Sequence, residues 1–313
     1  MKNLAEQARE LLLEQDQSWP LLHENRALLA GAKVRMFQFE GFEVRAQLNL
    51  GRLGFALRRP GGGECFLCDR NRPREQTLLP CGGGFNLMCN PYPILPEHFT
   101  IIHQQHQPQR ILGSLEPMLE LARAVAAATS QSGFMVFYNG PQCGASAPDH
   151  LHLQAGPIDS LPAIAECPRV GRVVLETDHL RILAGNRYLR RFVLIESARS
   201  EQVLEAFGRL YQAQQALQPQ SLEPMMNILC SYDEGRWRVI VFPRCRHRPS
   251  AYSAPEHERL LISPGALDVG GVIVVPVAEH FQRISAQDIA RVYDEITLDE
   301  ASFARLVQAM QIR

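Results

Sequence analysis

Apolar and polar residues follow two periods along this chain, and the periods divide it into helices and strands. Residues 3–15 (NLAEQARELLLEQ) place Leu4, Ala8, Leu11 and Leu12 at helical spacing, which predicts a short amphipathic helix. Residues 34–51 alternate and carry β-branched and aromatic side chains, predicting a hairpin that turns through Glu40-Gly41. RPGGGE (59–64) reads as a flexible break. Residues 79–109 read as two short strands with a Pro-rich bend between them, and 114–130 as a helix opening near Ser114 and Pro117. FMVFYNG (134–140) is a buried-strand run and PQCGASAPD (141–149) a loop of small residues. Further strands are predicted near 171–175 and 190–196, then a helix over 200–217, a hairpin over 225–243, a strand at 271–276 and a last helix in the tail. Hairpins outnumber strand-helix-strand units, so the fold class is α+β, a mostly antiparallel sheet with flanking helices.

One segment alternates strictly. In HLHLQAG (150–156), His150, His152 and Gln154 fall on one face and Leu151, Leu153 and Ala155 on the other. The apolar face fixes the register, because a slip of one residue buries the polar set. Alternate side chains then stand about 6.6 Å apart in a row. The other reading is a solvated outer strand face. Just upstream, Asn139, Gly140, Gly144 and Ser146 offer backbone N–H groups and short donors of the kind that cradle an anion. FTIIHQQHQPQ (99–109) and VIVFPRCRHRPS (239–250) echo each other as a β-branched strand running into a polar bend. Either the chain has two related halves or the similarity is chance.

Composition narrows the partners. A chain of 313 residues is one large domain or two ordinary ones, and we divide it at 1–160 and 161–313. With 32 Lys+Arg against 33 Asp+Glu it has no electrostatic footprint for nucleic acid or an anionic membrane. No apolar run approaches the roughly 20 residues that span a bilayer. The start, MKNLAEQARELLLEQDQ, has acidic residues where a signal peptide needs an apolar stretch, which predicts a cytoplasmic chain. Its eight cysteines are then expected to be reduced or metal-bound. Cys65-Phe-Leu-Cys68 has the spacing of a zinc half-site, and the following DRNRP does not supply the strand-to-helix setting of a redox pair. No second C-x-x-C exists, so histidines must complete a tetrahedral site, with His98, His103, His106 and His150 as candidates. Cys81, Cys89, Cys143, Cys167, Cys230 and Cys245 look like small hydrophobes or turn neighbours. Among five arginines between 236 and 248, Arg244 and Arg248 lie in a bend and are the candidates for phosphate; a solvated strand face is the competing reading. The loop ISPGALDVGG (262–271) closes over a substrate or is an ordinary turn, and the sequence leaves both open.

NGPQCGASAPDHLHLQAG (139–156), with its His-x-His-x-Gln pattern, resembles the transferase branch of the histidine-triad superfamily. That branch includes hexose-1-phosphate uridylyltransferases, diadenosine tetraphosphate phosphorylases and GDP-hexose phosphorylases. CFLCDRNRPREQ (65–76) and LLISPGALDVGG (260–271) extend a resemblance to a bacterial family of this branch over nearly the whole chain. The resemblance implies a uridylyltransferase-like fold whose C-terminal half is a degenerate copy. It implies a nucleotidyltransferase or phosphorylase acting on a nucleoside-diphosphate-sugar or dinucleoside polyphosphate. In that chemistry His152 is the nucleophile and forms a covalent nucleotidyl-histidine. Gln154 stands where hydrolases of the superfamily carry a third His, and its amide would hold a phosphate oxygen, with Asn139 and Ser146 as further donors. Arg72, Arg74 and Gln76 would lie near the nucleotide. The ligand order of the uridylyltransferases maps a structural zinc onto Cys65, Cys68, His106 and His150, with His103 as rival for the third place. The implied partner is a small nucleotide or sugar-nucleotide, and whether one chain or a homodimer completes the site is left open. The alternative is a catalytically silent, zinc-stabilised nucleotide-binding protein, or a nucleotide hydrolase.

Overall fold

A computed structural model describes residues 2–57, 64–126, 132–186 and 188–311. Residues 59–63 of the expected break and 127–130 of the expected helix lie outside the described residues. In chain order the strands are β1 (Val34–Phe39), β2 (Phe42–Leu48), β3 (Leu79–Gly82), β4 (Phe85–Cys89), β5 (Phe99–His103), β6 (Phe134–Asn139) and β7 (His152–Pro157). They continue as β8 (Arg172–Glu176), β9 (Arg181–Gly185), β10 (Phe192–Ser197), β11 (Met226–Asp233), β12 (Arg236–Pro243) and β13 (Val272–Val275). Ten of them form one antiparallel sheet in the order 3-4-5-7-6-11-12-10-9-8. Read inward from its two edges, the sheet follows one path twice, 3-4-5-7-6 and 8-9-10-12-11, and the two paths meet where β6 pairs β11. The halves are therefore related in topology. The sequence echo is not the trace of that repeat: it joins the ends of β5 and β12, whereas β5 stands where β10 stands and β12 where β7 stands.

Side chains along each strand alternate between two cores, as the period of two requires. On one face Leu87, Ile101, Val136, Leu153, Ile195 and Val239 pack under helices Leu4–Ser18, Leu115–Ala124, Ser200–Leu217 and Glu300–Ala309.

 On the other, Met135, Phe137, Leu183, Leu194, Leu229 and Ile240 meet helix Pro162–Val170, helices Ala278–Arg283 and Ala286–Ile296, and a small sheet in which β2 pairs β1 and β13. Each fully buried Leu, Ile or Phe contributes about 1.5–3 kcal/mol, so these two layers hold the sheet between them. The first helix starts where Asn3 accepts from the Glu6 N–H (2.8 Å) and the Glu6 carboxylate accepts from the Asn3 N–H (3.0 Å), a reciprocal cap.

Several elements depart from the sequence expectation, each for a local reason. Residues 79–109 hold three strands, not two, because Gly82, Gly83 and Gly84 all take positive φ (85°, 60° and 79°) and turn β3 tightly into β4. Helix Pro162–Val170 was not expected, since Pro168 lies inside it and reads as a breaker. Helix Pro20–Ala30 and strand β9 were also unexpected. β13 runs parallel to β2, the exception in a largely antiparallel protein. The hairpins β1–β2 and β11–β12 and the helix over 200–217 lie where the patterns put them. Among the described residues no helix is long and apolar enough to cross a membrane.

Candidate functional site

The polar row of the histidine strand divides in two. Leu151, Leu153 and Ala155 enter the core as their alternation predicts. The strand, however, begins at His152, and His150 lies in the turn before it, with its N–H bonded to the Ala147 carbonyl (3.1 Å). His150 therefore leaves the row and faces the cysteine pair. Its Nδ1 lies 3.4 Å from Cys65 Sγ and 3.6 Å from Cys68 Sγ, and His106 Nδ1 lies 3.2 Å from Cys68 Sγ. All four ligand atoms of Cys65, Cys68, His106 and His150 lie within 4.8 Å of one another. A tetrahedral zinc with bonds of about 2.3 Å to sulfur and 2.0–2.1 Å to nitrogen separates S from N by about 3.6 Å, so the set fits such an ion. The outer nitrogen of His150 donates to the His103 carbonyl (2.8 Å), which leaves Nδ1 as the ligand atom, and Asp149 lies 3.7 Å from His106 Nε2. His103 stays out of the cluster, its Nδ1 taking the Gln105 N–H (3.1 Å). His98 is also outside it and serves another purpose.

On the far side of Leu67, a cavity of about 530 Å³ is lined by His152, Gln154, Asn139, Gly144 and Ser146. Loop residues Ser263, Gly265, Ala266, Leu267 and Asp268 line it from the C-terminal half, and Trp19, Arg52, Phe66 and Tyr92 from the N-terminal segment. His152 is 2 % exposed. Its Nδ1–H donates to the His150 carbonyl (2.8 Å), and its Nε2 is buried without a hydrogen-bond partner. Burial holds the imidazole down at about 4, so the ring is neutral at pH 7 and Nε2 carries a lone pair. Gln109 fixes the backbone on both sides: its amide oxygen accepts from the His152 N–H (2.8 Å), and its NH2 donates to the carbonyls of His152 and Asn139 (2.9 Å each).

Gln154 is oriented by a chain of obligatory donors. The Ile94 N–H donates to His98 Nδ1 (3.0 Å), so the His98 proton sits on Nε2 and is given to the Gln154 amide oxygen (2.9 Å). Burial first, with the neighbouring Arg52 charge, pushes His98 down to about 3 and keeps it neutral. The Gln154 NH2 is left for the cavity. Arg52 is the one cation among the described residues lining it; burial lowers its pKa to about 10, still charged at pH 7. Across from it, burial pushes Asp268 up to about 6 while its oxygens accept from the Gly265 and Val274 N–H groups (2.8 and 3.0 Å).

Other residues expected at a phosphate are placed elsewhere by the structure. Gly140 does not line the cavity: its N–H goes to the Met226 carbonyl (3.1 Å), and a Cβ there would meet that oxygen at 2.8 Å. Arg244 is fully buried and spends its guanidinium on the oxygens of Ile296, Asn227, Pro264, Arg246 and His247. Arg248 also lies outside the lining; its Nε donates to Ser263 Oγ (2.9 Å), which does line it, and its guanidinium stacks 4.0 Å over Tyr252. Arg72 and Arg74 do not line the cavity, and Gln76 lines it but gives its NH2 to the Cys89 carbonyl (2.9 Å). The 262–271 loop is no free turn. Gly144 (φ +95°) and Gly265 touch so closely that a Cβ on Gly144 would lie 2.8 Å from the Gly265 Cα. Sequence reasoning missed Arg52, Gln109, Asn227 and the use of His98, none of which belongs to a spaced motif.

Two family profiles match successive parts of the chain. Residues 11–157 match a domain of unknown function (DUF4922), and residues 165–311 match the GDPGP1-like C-terminal domain. Protein APA1 of Saccharomyces cerevisiae is 29 % identical over 92 residues, which is 26 % of this chain and only 29 % of that relative's length. The crystal structure of yeast Ap4A phosphorylase Apa2 superposes with a TM-score of 0.60 at 16 % identity, covering 89 % of this chain and 93 % of that one. The same enzyme solved in complex with AMP gives 0.57, at 17 % identity and coverages of 89 % and 95 %. At these identities the structures establish a shared fold. The chain thus shares its fold with these phosphorylase structures, and its second half matches the GDPGP1-like C-terminal domain.

Proposed function

We propose that this chain is a metal-stabilised nucleotide-binding protein whose cavity takes the phosphate of a nucleotide or sugar-nucleotide. The observation that carries this reading is the convergence of neutral donors, the amides of Asn139 and Gln154 with the Ser146 hydroxyl, around His152. The Apa2 structures with AMP and with Ap4A support it. The thiolate and imidazole donor set selects zinc, held by Cys65, Cys68, His106 and His150. Zinc there is structural: with four protein ligands no position stays open, and the ion ties the turn before β7 to the cysteine segment. On this reading residues 1–160 hold the ligand and 161–313 close over it.

A second step goes further. His152 Nε2 is neutral and has no partner, which suits a nucleophile. Its lone pair would attack the α-phosphorus as the bond to the leaving phosphate oxygen breaks, giving a nucleotidyl-histidine. Attack by a second phosphate would break the P–N bond and release the nucleotide, the course of a nucleotidyltransferase or phosphorylase. Binding without turnover has its own support: Nε2 is buried, so attack needs a small opening.

Calorimetry with AMP tests binding, and a heat-silent titration of zinc-loaded protein rejects it. Incubation with radiolabelled nucleoside-diphosphate-sugars and dinucleoside polyphosphates tests transfer. Acid-labile label on the wild type, absent from His152→Ala, is expected for transfer. AMP binding with no label from any donor leaves the binding protein.

A further inference from the structure

Arg244 touches no ligand position, yet its surroundings are hard to explain as packing alone. Its side chain is 0 % exposed, and among the described residues it forms no ion pair. Its hydrogen bonds go to neutral oxygens: the carbonyls of Ile296, Pro264, Arg246 and His247, and the Asn227 amide. The buried Asp268 carboxyl acts on Arg244 only at a distance; burying a cation without a direct ion pair is costly, and a well-packed apolar side chain of similar volume usually fits such a place at least as well.

The bonds beyond Arg244 supply a reason. A guanidinium can only donate, so Asn227 must turn its oxygen to Arg244 (2.5 Å). The Asn227 NH2 then faces the other way, toward the Cys143 carbonyl (2.7 Å) and the Asn139 amide oxygen (2.9 Å). The Asn139 oxygen also accepts from the Ala266 N–H (2.7 Å). With its oxygen held twice, Asn139 has one orientation left, and its NH2 is the end available to the cavity that it lines. Arg244 also holds the Pro264 carbonyl (3.1 Å), next to Gly265 and Ala266 in the loop over the cavity.

We propose that Arg244 is a positioning residue for phosphate: acting through Asn227, it sets the Asn139 amide so that donors face the ligand. A phosphate oxygen only accepts, so the polarity of that amide decides whether the contact attracts or repels. The same relay lets the C-terminal half, which contributes no nucleophile, control the anion preference of a site built on the N-terminal half. This rests on the reading of the cavity as a nucleotide site.

The test compares AMP, inorganic phosphate and adenosine by calorimetry on zinc-loaded protein. Asn227→Ala breaks the relay but leaves the arginine in place. It is expected to weaken AMP and phosphate about tenfold and to leave adenosine unchanged. Asn139→Ala should cost a similar factor, and the double variant no more than either single one, because both remove one contact. Equal weakening of AMP and adenosine, or full additivity of the pair, overturns the proposal in favour of a purely structural role. Arg244→Met should reproduce the loss of AMP selectivity; if it does not fold, the Asn227 and Asn139 cycle decides. Wild type that binds phosphate but not AMP rejects the nucleotide reading while the phosphate titrations still judge the relay. Wild type that binds neither rejects both.

Discussion

The two halves of the ten-stranded sheet follow the same path, and among the described residues only the first carries the cysteine–histidine cluster and the histidine that lines the cavity. Between β6 and β7 the chain spends residues 140–151, and between β11 and β12 only Glu234 and Gly235. The long connection carries Gly144, Ser146 and His150; the short one is a bare hairpin turn with φ of 49° and 76°. On the face away from the long helices, β7 presents His152 and Gln154 to a cavity. Its counterpart β12 presents Ile240 and Phe242 to a filled core beneath the small sheet and helix Ala286–Ile296. A shared backbone path therefore does not make a site. One half gains it from a loop and an uncovered face, and the other gives up its own face and supplies a loop and a buried clamp.

The largest test of this contrast is metal removal, because the cysteine–histidine cluster lies wholly in the first half. Chelation, or Cys65→Ser with Cys68→Ser, is expected to lower the melting temperature by more than about 10 °C. Hydrogen exchange should speed up in β4, β5 and β7 well before β10 and β12 respond. Metal analysis finding less than half an equivalent in protein purified without chelator counts against the cluster. Equal acceleration in both halves breaks the contrast itself.

A smaller effect is expected from His98→Phe. The ring keeps its volume against Phe137, whose centroid lies 5.8 Å away, but both hydrogen bonds that fix Gln154 disappear. The unpaired Ile94 N–H and Gln154 oxygen should cost about 1–3 kcal/mol in stability. AMP should bind about tenfold more weakly, while adenosine is spared. A variant that loses stability but keeps its preference for AMP shows that Gln154 does not depend on His98 for its orientation.

These tests fall on residues of unequal legibility. The cysteine pair, and the alternation that sends Leu151, Leu153 and Ala155 inward, follow from spacing and period within short windows, whereas His106 and His150 were singled out from four candidate histidines only by the family resemblance. His150 was read onto the strand because alternation does not register where a turn ends, and the Ala147 bond that takes it out is set by the loop. Arg244 was read as a phosphate candidate because the sequence places it in a bend after a strand; that five oxygens from four segments surround it is tertiary information. Gln109 and His98 act across β5, β6 and β7, and no local pattern marks a side chain whose contacts to Asn139 and Gln154 reach over 30 and 56 residues. In the same way β9 and helix Pro162–Val170 stayed hidden, the helix because Pro168 argues against it locally while its buried Ala163 and Cys167 argue for it only once packed.

The finest test concerns the seam between the halves. Glu223, just before β11, accepts from the Tyr138 hydroxyl of β6 and from the Ile111 N–H, both at 2.6 Å. Burial pushes its carboxyl up to about 7, against the lowering effect of those two bonds. The folded protein thus holds a proton that the unfolded chain releases near 4.5. Stability from this group is full below that value and falls as pH rises toward 7, beyond which it is level. Glu223→Gln can keep both contacts, since its oxygen accepts from Ile111 and its NH2 donates to the Tyr138 oxygen. It should melt higher than wild type at pH 8 and equal to it near pH 4.5. If the two melt in parallel across this range, Glu223 is not titrating at the seam, and the junction of the halves is held by the β6–β11 ladder alone.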